Sequence, residues 1–260
     1  MTEYAQFHRV IIAFALAAIR LGAAMEILPA LSSSMVTGLA RRAATLAFAA
    51  LTVPSVLVWM PPGELPIQLL IVVALKEVLV GMLIGFFAAV PFWIAENVGN
   101  FIDNQRGATM GEVYSPLSGA QVSTTGIFFT QLVSTIFFVG GAVFIFLGAV
   151  YRSYDVIPLF SESLRVTSGT PALMLGTLDG MMRTTFIISA PIVILMFLAT
   201  IGLGFVNRTA PQLNVFFLSM PVKSALGVGM LIIYLQYIMD MLMYTKSMEI
   251  LGPVMRMLNG

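Results

Sequence analysis

"IQLLIVVALKEVLVGMLIGFFAAVPFWIA", residues 67–95, decides the fold class. Apart from Gln68, Lys76 and Glu77 it contains only apolar or small residues, and it is longer than the about 20 residues with which a helix crosses a hydrocarbon core. The whole chain of 260 residues is 59% hydrophobic and 10% charged, whereas soluble domains are about a quarter charged. The sequence therefore predicts an all-α integral membrane protein.

Other segments of the chain share this apolar character, and we expect about six long helices, some of them broken. The fourth and fifth contain no charged residue. In the sixth, Pro221 and Lys223 predict a break, because a proline inside a helix removes a backbone donor. The six segments are residues 10–29, 43–60, 67–95, 127–150, 184–206 and 212–244.

Two connections carry local signals. Residues 61–64, "PPGE", predict a short turn, and Thr170 followed by Pro171 predicts the start of a helix. Apolar residues from Met174 to Met182 then recur at helical spacing, which predicts a short amphipathic helix. Without a clear internal repeat, the chain is interpreted as one membrane domain, residues 1–260. Its Lys and Arg residues are spread too evenly between alternate loops to orient it by the positive-inside rule.

Charged residues lie inside the predicted spans, where each costs at least a few kcal/mol if it faces lipid. Lys76 and Glu77 are adjacent, so their side chains point about 100° apart on a helix and do not face each other. Arg20 and Glu26 also diverge. These residues therefore need partners from other helices or other subunits. Gly81 and Gly85 form a GxxxG pair, which indicates either close helix packing or chance.

A polar stretch, "NFIDNQRGATMGEVYSPLSGAQVSTTG" at residues 100–126, separates two strongly apolar segments. Non-helical backbone at membrane depth is tolerated only where protein buries it or where it lines a water-filled cavity. The stretch therefore predicts a loop that is buried in protein or lines a water-filled cavity, and that could be packed into a lumen, with a merely solvated loop as the alternative. Asp103 and Arg106 could fix it by pairing with each other or with groups of the lumen.

Motifs for catalysis or cofactor binding are missing from the sequence. The chain has one histidine and no cysteine, which makes a transition-metal site improbable. It has no phosphate-binding loop and no hydrolase signature. The net charge is +1 and the only basic pair is Arg41–Arg42, so nothing indicates a nucleic-acid partner. We expect no enzyme, no metal, no cofactor and no catalytic residues.

Three ordered stretches carry a family resemblance. They are "FIDNQRG" at 101–107 followed by "SPLSG" at 115–119, "APQLNVF" at 210–216 followed by Pro221 and Lys223, and "KEVLVGMLIGF" at 76–86. With these motifs the chain resembles, essentially from end to end, the SctT/FliR family of export-gate components of type III secretion systems. The motif "IDNQRG" favours the injectisome branch over the flagellar one.

The resemblance implies a non-enzymatic subunit of the export gate in the bacterial inner membrane. One copy would join several P-type and Q-type subunits (SctR and SctS), with the switch protein SctU and the large gate protein SctV as further partners. Its helices would form hairpins that are not arranged as ordinary membrane spans, with much of the assembly above the bilayer plane and membrane lipid as a further partner. The polar stretch, over about residues 101–123, would plug the channel until secreted substrate proteins pass.

The expected site residues follow from these motifs. The plug-loop and gating residues are Phe101, Ile102, Asp103, Asn104, Gln105, Arg106, Gly107, Ser115, Pro116, Leu117, Ser118 and Gly119. The subunit-contact or intramembrane polar residues are Lys76, Glu77, Pro211, Gln212, Asn214 and Lys223.

Alternatives remain open for the site and for the function. Residues 211–214 could instead form a turn whose asparagine caps the next helix. A self-sufficient secondary transporter would use Lys76, Glu77, Glu96 and Asp103 as an ion or substrate path. An intramembrane hydrolase ranks last because no pair of carboxylates has a suggestive spacing.

Overall fold

The computed structural model describes residues 2–31, 36–63, 65–107, 123–161, 170–210, 212 and 214–249. These residues form eight α-helices and one short 3-10 helix, and they contain no β-strand. The all-α prediction is therefore confirmed. The α-helices are α1 (Thr2–Ile27), α2 (Gly38–Ala50), α3 (Val53–Trp59), α4 (Ile67–Arg106), α5 (Thr124–Val139), α6 (Ala142–Val156), α7 (Thr170–Thr209) and α8 (Val215–Glu249).

Four of the described helices are long and apolar enough to cross a membrane alone: α1, α4, α7 and α8. Two bent pairs also qualify if each is counted as one span. The axes of α2 and α3 differ by 51°, and those of α5 and α6 differ by 72°. The described part of the chain thus offers up to six spans, and these coincide with the six apolar segments of the sequence.

The two breaks lie in different sequence surroundings. The break between α2 and α3 lies at Leu51 and Thr52, directly before α3, whose first turn contains Pro54. The predicted break at Pro221 and Lys223 is wrong, because α8 continues through both residues. A proline removes only one backbone donor, and the other hydrogen bonds of α8 continue past it. The fourth apolar segment is broken instead, between α5 and α6, where Gly141 has φ +71°. Glycine adopts this left-handed conformation without a steric penalty.

Helix α7 is longer than predicted. It begins at Thr170 with Pro171, as expected, and continues to Thr209. The short amphipathic helix predicted after Pro171 is therefore wrong as a separate element, because it is the first part of α7. The turn predicted at residues 61–64 is supported by Gly63, which has φ +102°.

The described residues divide into two compact units. The first contains residues up to Val90 together with Ile136–Leu175, and the second contains Pro91–Thr135 together with Gly176–Ser247. In the first unit, Gly81 and Gly85 of α4 lie against the backbone of α1. A side chain at Gly85 would come within 2.6 Å of the Ala24 carbonyl oxygen. The GxxxG pair is therefore a packing motif that brings α1 and α4 into backbone contact.

Candidate functional site

The polar stretch begins inside α4. Its first residues complete that helix, which ends at Arg106, and Gly107 follows with φ +79°. Helix α5 begins at Thr124, so the loop predicted over 100–126 is helical at both ends. Residues 108–122 lie outside the described residues, and with them Ser115, Pro116, Leu117, Ser118 and Gly119.

Two glycines bring the end of α4 against the start of α5. A side chain on Gly99 would overlap the backbone of Thr125 and Gly126. A side chain on Gly126 would lie 3.0 Å from the Asn100 amide oxygen and 3.1 Å from the Glu96 carbonyl oxygen. Because only glycine leaves room for this approach, the two helices are in backbone contact on either side of residues 108–122.

Asp103 joins the two helices by hydrogen bonds. Its side chain is 1% exposed and accepts three of them, from Ser123 Oγ at 2.5 Å, Thr125 Oγ1 at 2.6 Å and the Thr125 backbone N–H at 2.9 Å. Ser123 Oγ in turn accepts the backbone N–H of Gly126 at 2.9 Å, as a helix N-cap does. A carboxylate is stabilised at the positive end of a helix, so Asp103 fixes the start of α5 to the end of α4.

Arg106 completes this group, which we name the Asp103 cluster (Asp103, Arg106, Ser123 and Thr125). Its Nη2 lies 2.7 Å from Asp103 Oδ1 and donates to Thr125 Oγ1 at 3.4 Å. Asp103 and Arg106 were expected to pair either with each other or with groups of the lumen, and in the structure they pair with each other. The carboxylate is buried, and a buried charge is tolerated only when it is paired and hydrogen-bonded. The cluster meets both conditions.

The remaining described residues of the "FIDNQRG" motif face different surroundings. Ile102 is buried, and the ring of Phe101 lies 4.8 Å from the ring of Phe186 in α7. Asn104 is exposed and Gln105 is half-buried. The motif therefore combines an inward face, which packs and binds α5, with an outward face that is polar.

A second group of buried charges lies in the first unit. Arg20 of α1 forms a bidentate ion pair with Glu77 of α4, with Nε–Oε2 and Nη2–Oε1 distances of 2.5 and 2.8 Å. Both side chains are 0% exposed. Arg20 also donates to Ser153 Oγ at 2.9 Å and to the Ile157 carbonyl at 2.8 Å, and its guanidinium lies 4.0 Å from the centre of the Tyr154 ring. One arginine thus connects α1, α4 and the end of α6.

Lys76 has partners of its own. Its Nζ donates to the carbonyls of Pro158 at 2.7 Å and Leu159 at 2.5 Å, and to Ser161 Oγ at 3.3 Å. Its distance to Glu77 Oε1 is 3.9 Å, so the adjacent charges point mainly to different neighbours. The expectation that these residues pair with other parts of the protein is confirmed.

The predicted site residues before and within α8 form fewer hydrogen bonds than those of the two buried groups. Pro211 lies outside the described residues, and Gln212 and Asn214 are exposed. Asn214 Oδ1 accepts the Phe217 N–H at 3.5 Å, which favours the capping interpretation. Lys223 is half-buried, and the described part of the chain offers it no hydrogen bond or ion pair.

The sequence interpretation missed several residues of both groups. Ser123, Thr125 and Gly126 form the "STTG" start of α5, and a serine before a helix is a recognisable N-cap signal. Ser153 gave no such signal, because it lies 133 residues from the arginine that it binds.

Neither group is arranged for acid–base or metal chemistry. Both oxygens of Asp103 and both of Glu77 are occupied by donors. Among the described residues, no three His, Asp or Glu side chains lie close enough to hold a metal ion. The arrangement can position helices, and its charges are used for that purpose.

Comparison with known proteins gives consistent matches. The family described as "Bacterial export proteins, family 1" matches residues 11–247. "Yop proteins translocation protein T" of Yersinia pestis is 36% identical over 241 residues, which cover 91% of this chain and 92% of the relative. "Secretion system apparatus protein SsaT" of Salmonella typhimurium is 38% identical over 170 residues, 62% of each chain. "Flagellar biosynthetic protein FliR" of Bacillus subtilis is 32% identical over 166 residues, 64% of each chain.

Proposed function

The chain belongs to family 1 of the bacterial export proteins, and from this premise we propose that it is a non-enzymatic subunit of a type III protein-export gate in the bacterial inner membrane. The observation that carries the proposal is the family match over residues 11–247. The injectisome branch is favoured, because the named secretion-system relatives are more similar to the chain than the flagellar one. Its apolar helices make the chain a multi-pass membrane protein.

The partners in this proposal are the P-type and Q-type gate subunits, SctR and SctS, with SctU and SctV as further neighbours. The exposed surface of α8 supports these partners. Only 6% of the α8 stretch that is long enough to cross a membrane is buried within the chain. Large side chains such as Phe216, Phe217 and Ile233 are exposed along α8. An apolar surface of this extent is covered by lipid or by other protein.

The polar segment between α4 and α5 is the plug of this gate. It fills the lumen of the channel and leaves it when a substrate protein passes. Support comes from its two anchor points, since the Asp103 cluster and the Gly99–Gly126 contact hold both ends of the segment at one place. A segment anchored in this way can occupy or leave a lumen while α4 and α5 stay in place.

The transporter alternative loses its main support in the structure. It requires intramembrane charges that bind an ion or a substrate. Glu77 is fully buried and bound by Arg20, and Lys76 is bound by backbone carbonyls. These residues hold the helices together, which favours the gate.

Co-purification tests the assembly. The full chain, expressed with its P-type and Q-type partners and tagged on one partner only, is expected to be recovered in a complex with both. An active monomer or homodimer, recovered without either partner, would contradict the proposal.

Conductance across a bilayer tests the plug. Residues 109–121 are replaced by a short Gly-Ser linker, while the Asp103 cluster is kept. In the assembled gate, this variant is expected to raise the leakage of ions and small solutes. The matched control replaces residues 163–168 in the same way and is expected to leave the gate closed. An assembled complex with wild-type permeability in both variants would refute the plug.

A further inference from the structure

A groove of about 680 Å³ lies between α1, α2 and α4 in the first unit. Its walls are mainly apolar and include Ile19, Leu46, Val78 and Met82. Charged side chains lie together at one end, where Glu26 is close to the end of α1 and Arg41 and Arg42 are close to the start of α2. The groove is therefore amphipathic along its length.

The charged end lies about one span length from the starts of α1 and α4. Gly85 contacts Ala24 and Gly81 contacts Arg20, so α1 and α4 run parallel and Glu26 is level with about Phe87. The span of α1 begins at Gln6 and α4 begins at Ile67. Both helices thus have about 20 residues before this level, the number that crosses the hydrocarbon core.

The charges at this end favour an anion. Arg41 lies 3.1 Å from Glu26, which leaves a net charge of +1 for the three side chains. Arg42 is exposed, and no described residue forms a hydrogen bond or an ion pair with it. The first turn of α2 has no acidic residue, and Thr37 makes no side-chain cap. The positive end of the helix dipole adds to the same field.

We propose that this groove binds an anionic phospholipid, whose phosphate lies at Arg41 and Arg42 and whose acyl chain lies along the apolar walls. Arginine binds phosphate through paired N–H groups, and basic pockets between membrane helices bind anionic head groups. The polar side chain within the groove, Thr45, already donates to the Arg41 carbonyl at 2.9 Å. The walls therefore suit a hydrocarbon chain better than a peptide backbone.

Native mass spectrometry of the full chain in mild detergent tests the proposal. The probes are phosphatidylglycerol, phosphatidylcholine with the same acyl chains, and inorganic phosphate. We expect phosphatidylglycerol to bind most tightly, and the Arg41→Gln/Arg42→Gln variant to bind it about thirtyfold more weakly. The matched control, Arg183→Gln/Arg208→Gln on α7, removes the same charge outside the groove and is expected to bind as the wild type does.

A second variant tests the acyl-chain part. Gly22 lines the groove, and a Cβ atom added there would lie 3.6 Å from Thr45 Cγ2, an ordinary contact. The rest of a leucine side chain would extend into the groove, so Gly22→Leu is expected to fold and to fill it. It should lose bound phosphatidylglycerol while both arginines remain. Retention of the lipid by Gly22→Leu would overturn the site.

Three further results would also overturn the proposal. They are equal binding of the two phospholipids, unchanged binding by the double arginine variant, and inorganic phosphate that binds as tightly as phosphatidylglycerol. In the assembled gate, a photo-crosslinker at Leu46 is expected to capture lipid. Capture of an acidic protein segment instead would assign the groove to a partner subunit.

Discussion

Two buried carboxylates, Glu77 and Asp103, are each paired with an arginine, but their partners lie at different distances along the chain. Glu77 is bound by Arg20, which lies 57 residues away on another helix. Asp103 is bound by Arg106 on its own helix and by groups 20 and 22 residues further on. Burial and full hydrogen bonding are common to both. The first carboxylate joins helices that are distant in sequence, and the second joins two consecutive helices across a polar segment.

Because their partners differ, we expect changes at Glu77 to affect mainly stability and changes at Asp103 to affect mainly function. A buried ion pair adds little net stability compared with apolar packing, but the loss of one partner leaves an uncompensated charge. Damage at Glu77 should therefore affect the whole first unit. Damage at Asp103 should affect the base of the polar segment, where we place the plug.

The largest expected effect follows from Glu77→Gln. Arg20 would stay buried without its counter-ion, and the expected loss is about 3–5 kcal/mol in the free energy of unfolding. Chemical denaturation in detergent measures it. The double variant Arg20→Met/Glu77→Met should recover most of the loss. A double variant as unstable as the single one would show that the pair is not the main contribution.

Each carboxylate lies near a glycine contact, and the second prediction concerns these glycines. Gly81→Ala and Gly99→Ala introduce a methyl group where the backbone of the facing helix already lies, and each should cost about 1–3 kcal/mol. Gly148→Ala is the control, because nothing lies within 4 Å of the added atom. It should be neutral or stabilising by up to about 1 kcal/mol. Equal effects at the three positions would contradict the close helix contacts.

Asp103→Asn should reduce export more strongly than it reduces folding. Asparagine keeps one acceptor but loses the charge, and the expected cost is about 1–3 kcal/mol, confined to the junction of α4 and α5. Hydrogen exchange should accelerate at the first turn of α5, and secretion should fall further than the amount of assembled gate. Gln131→Ala, an exposed position further along α5, is expected to change neither. Normal secretion by Asp103→Asn would show that export does not depend on this anchor.

The smallest effect is expected at the partly exposed ion pair of Glu26 and Arg41. Their side chains are 66% and 18% exposed, and such pairs contribute about 0–1 kcal/mol. Glu26→Gln should therefore leave the thermal midpoint almost unchanged, in contrast to Glu77→Gln. It should also strengthen phosphatidylglycerol binding, because Arg41 is released. A large loss of stability would refute the distinction between buried and exposed pairs.

The sequence predicted the helices well, because hydrophobic length decides membrane spans. It failed at Pro221 and Gly141. A proline suggests a break by its chemistry, but only the surrounding hydrogen bonds decide whether the helix continues. Gly141 lies in a segment without charged residues, and one backbone dihedral angle creates its bend. Hydropathy does not contain that information.

The two polar groups were predictable to different degrees. Asp103 and Arg106 belong to one motif and pair across one helical turn, so their contact could be proposed from spacing. For Arg20 and Glu77, the sequence indicated only that partners were needed. The partner was fixed by the approach of α1 to α4, which depends on Gly81 and Gly85 and on contacts that are distant along the chain.

The length of α4 and α7 has a consequence for how the protein meets its membrane. Each helix has 40 residues, which corresponds to about 60 Å of straight helix. The hydrocarbon layer is about 30 Å thick, and to fit within it a straight helix of this length would need a tilt beyond the range of about 0–40° observed for membrane helices. About half of each helix therefore needs other surroundings. For α4 the chain itself supplies much of this cover, because most residues from Phe87 to Asp103 are buried, whereas α7 is largely exposed. The amount of soluble protein should therefore rise when neighbouring subunits are co-expressed and cover α7.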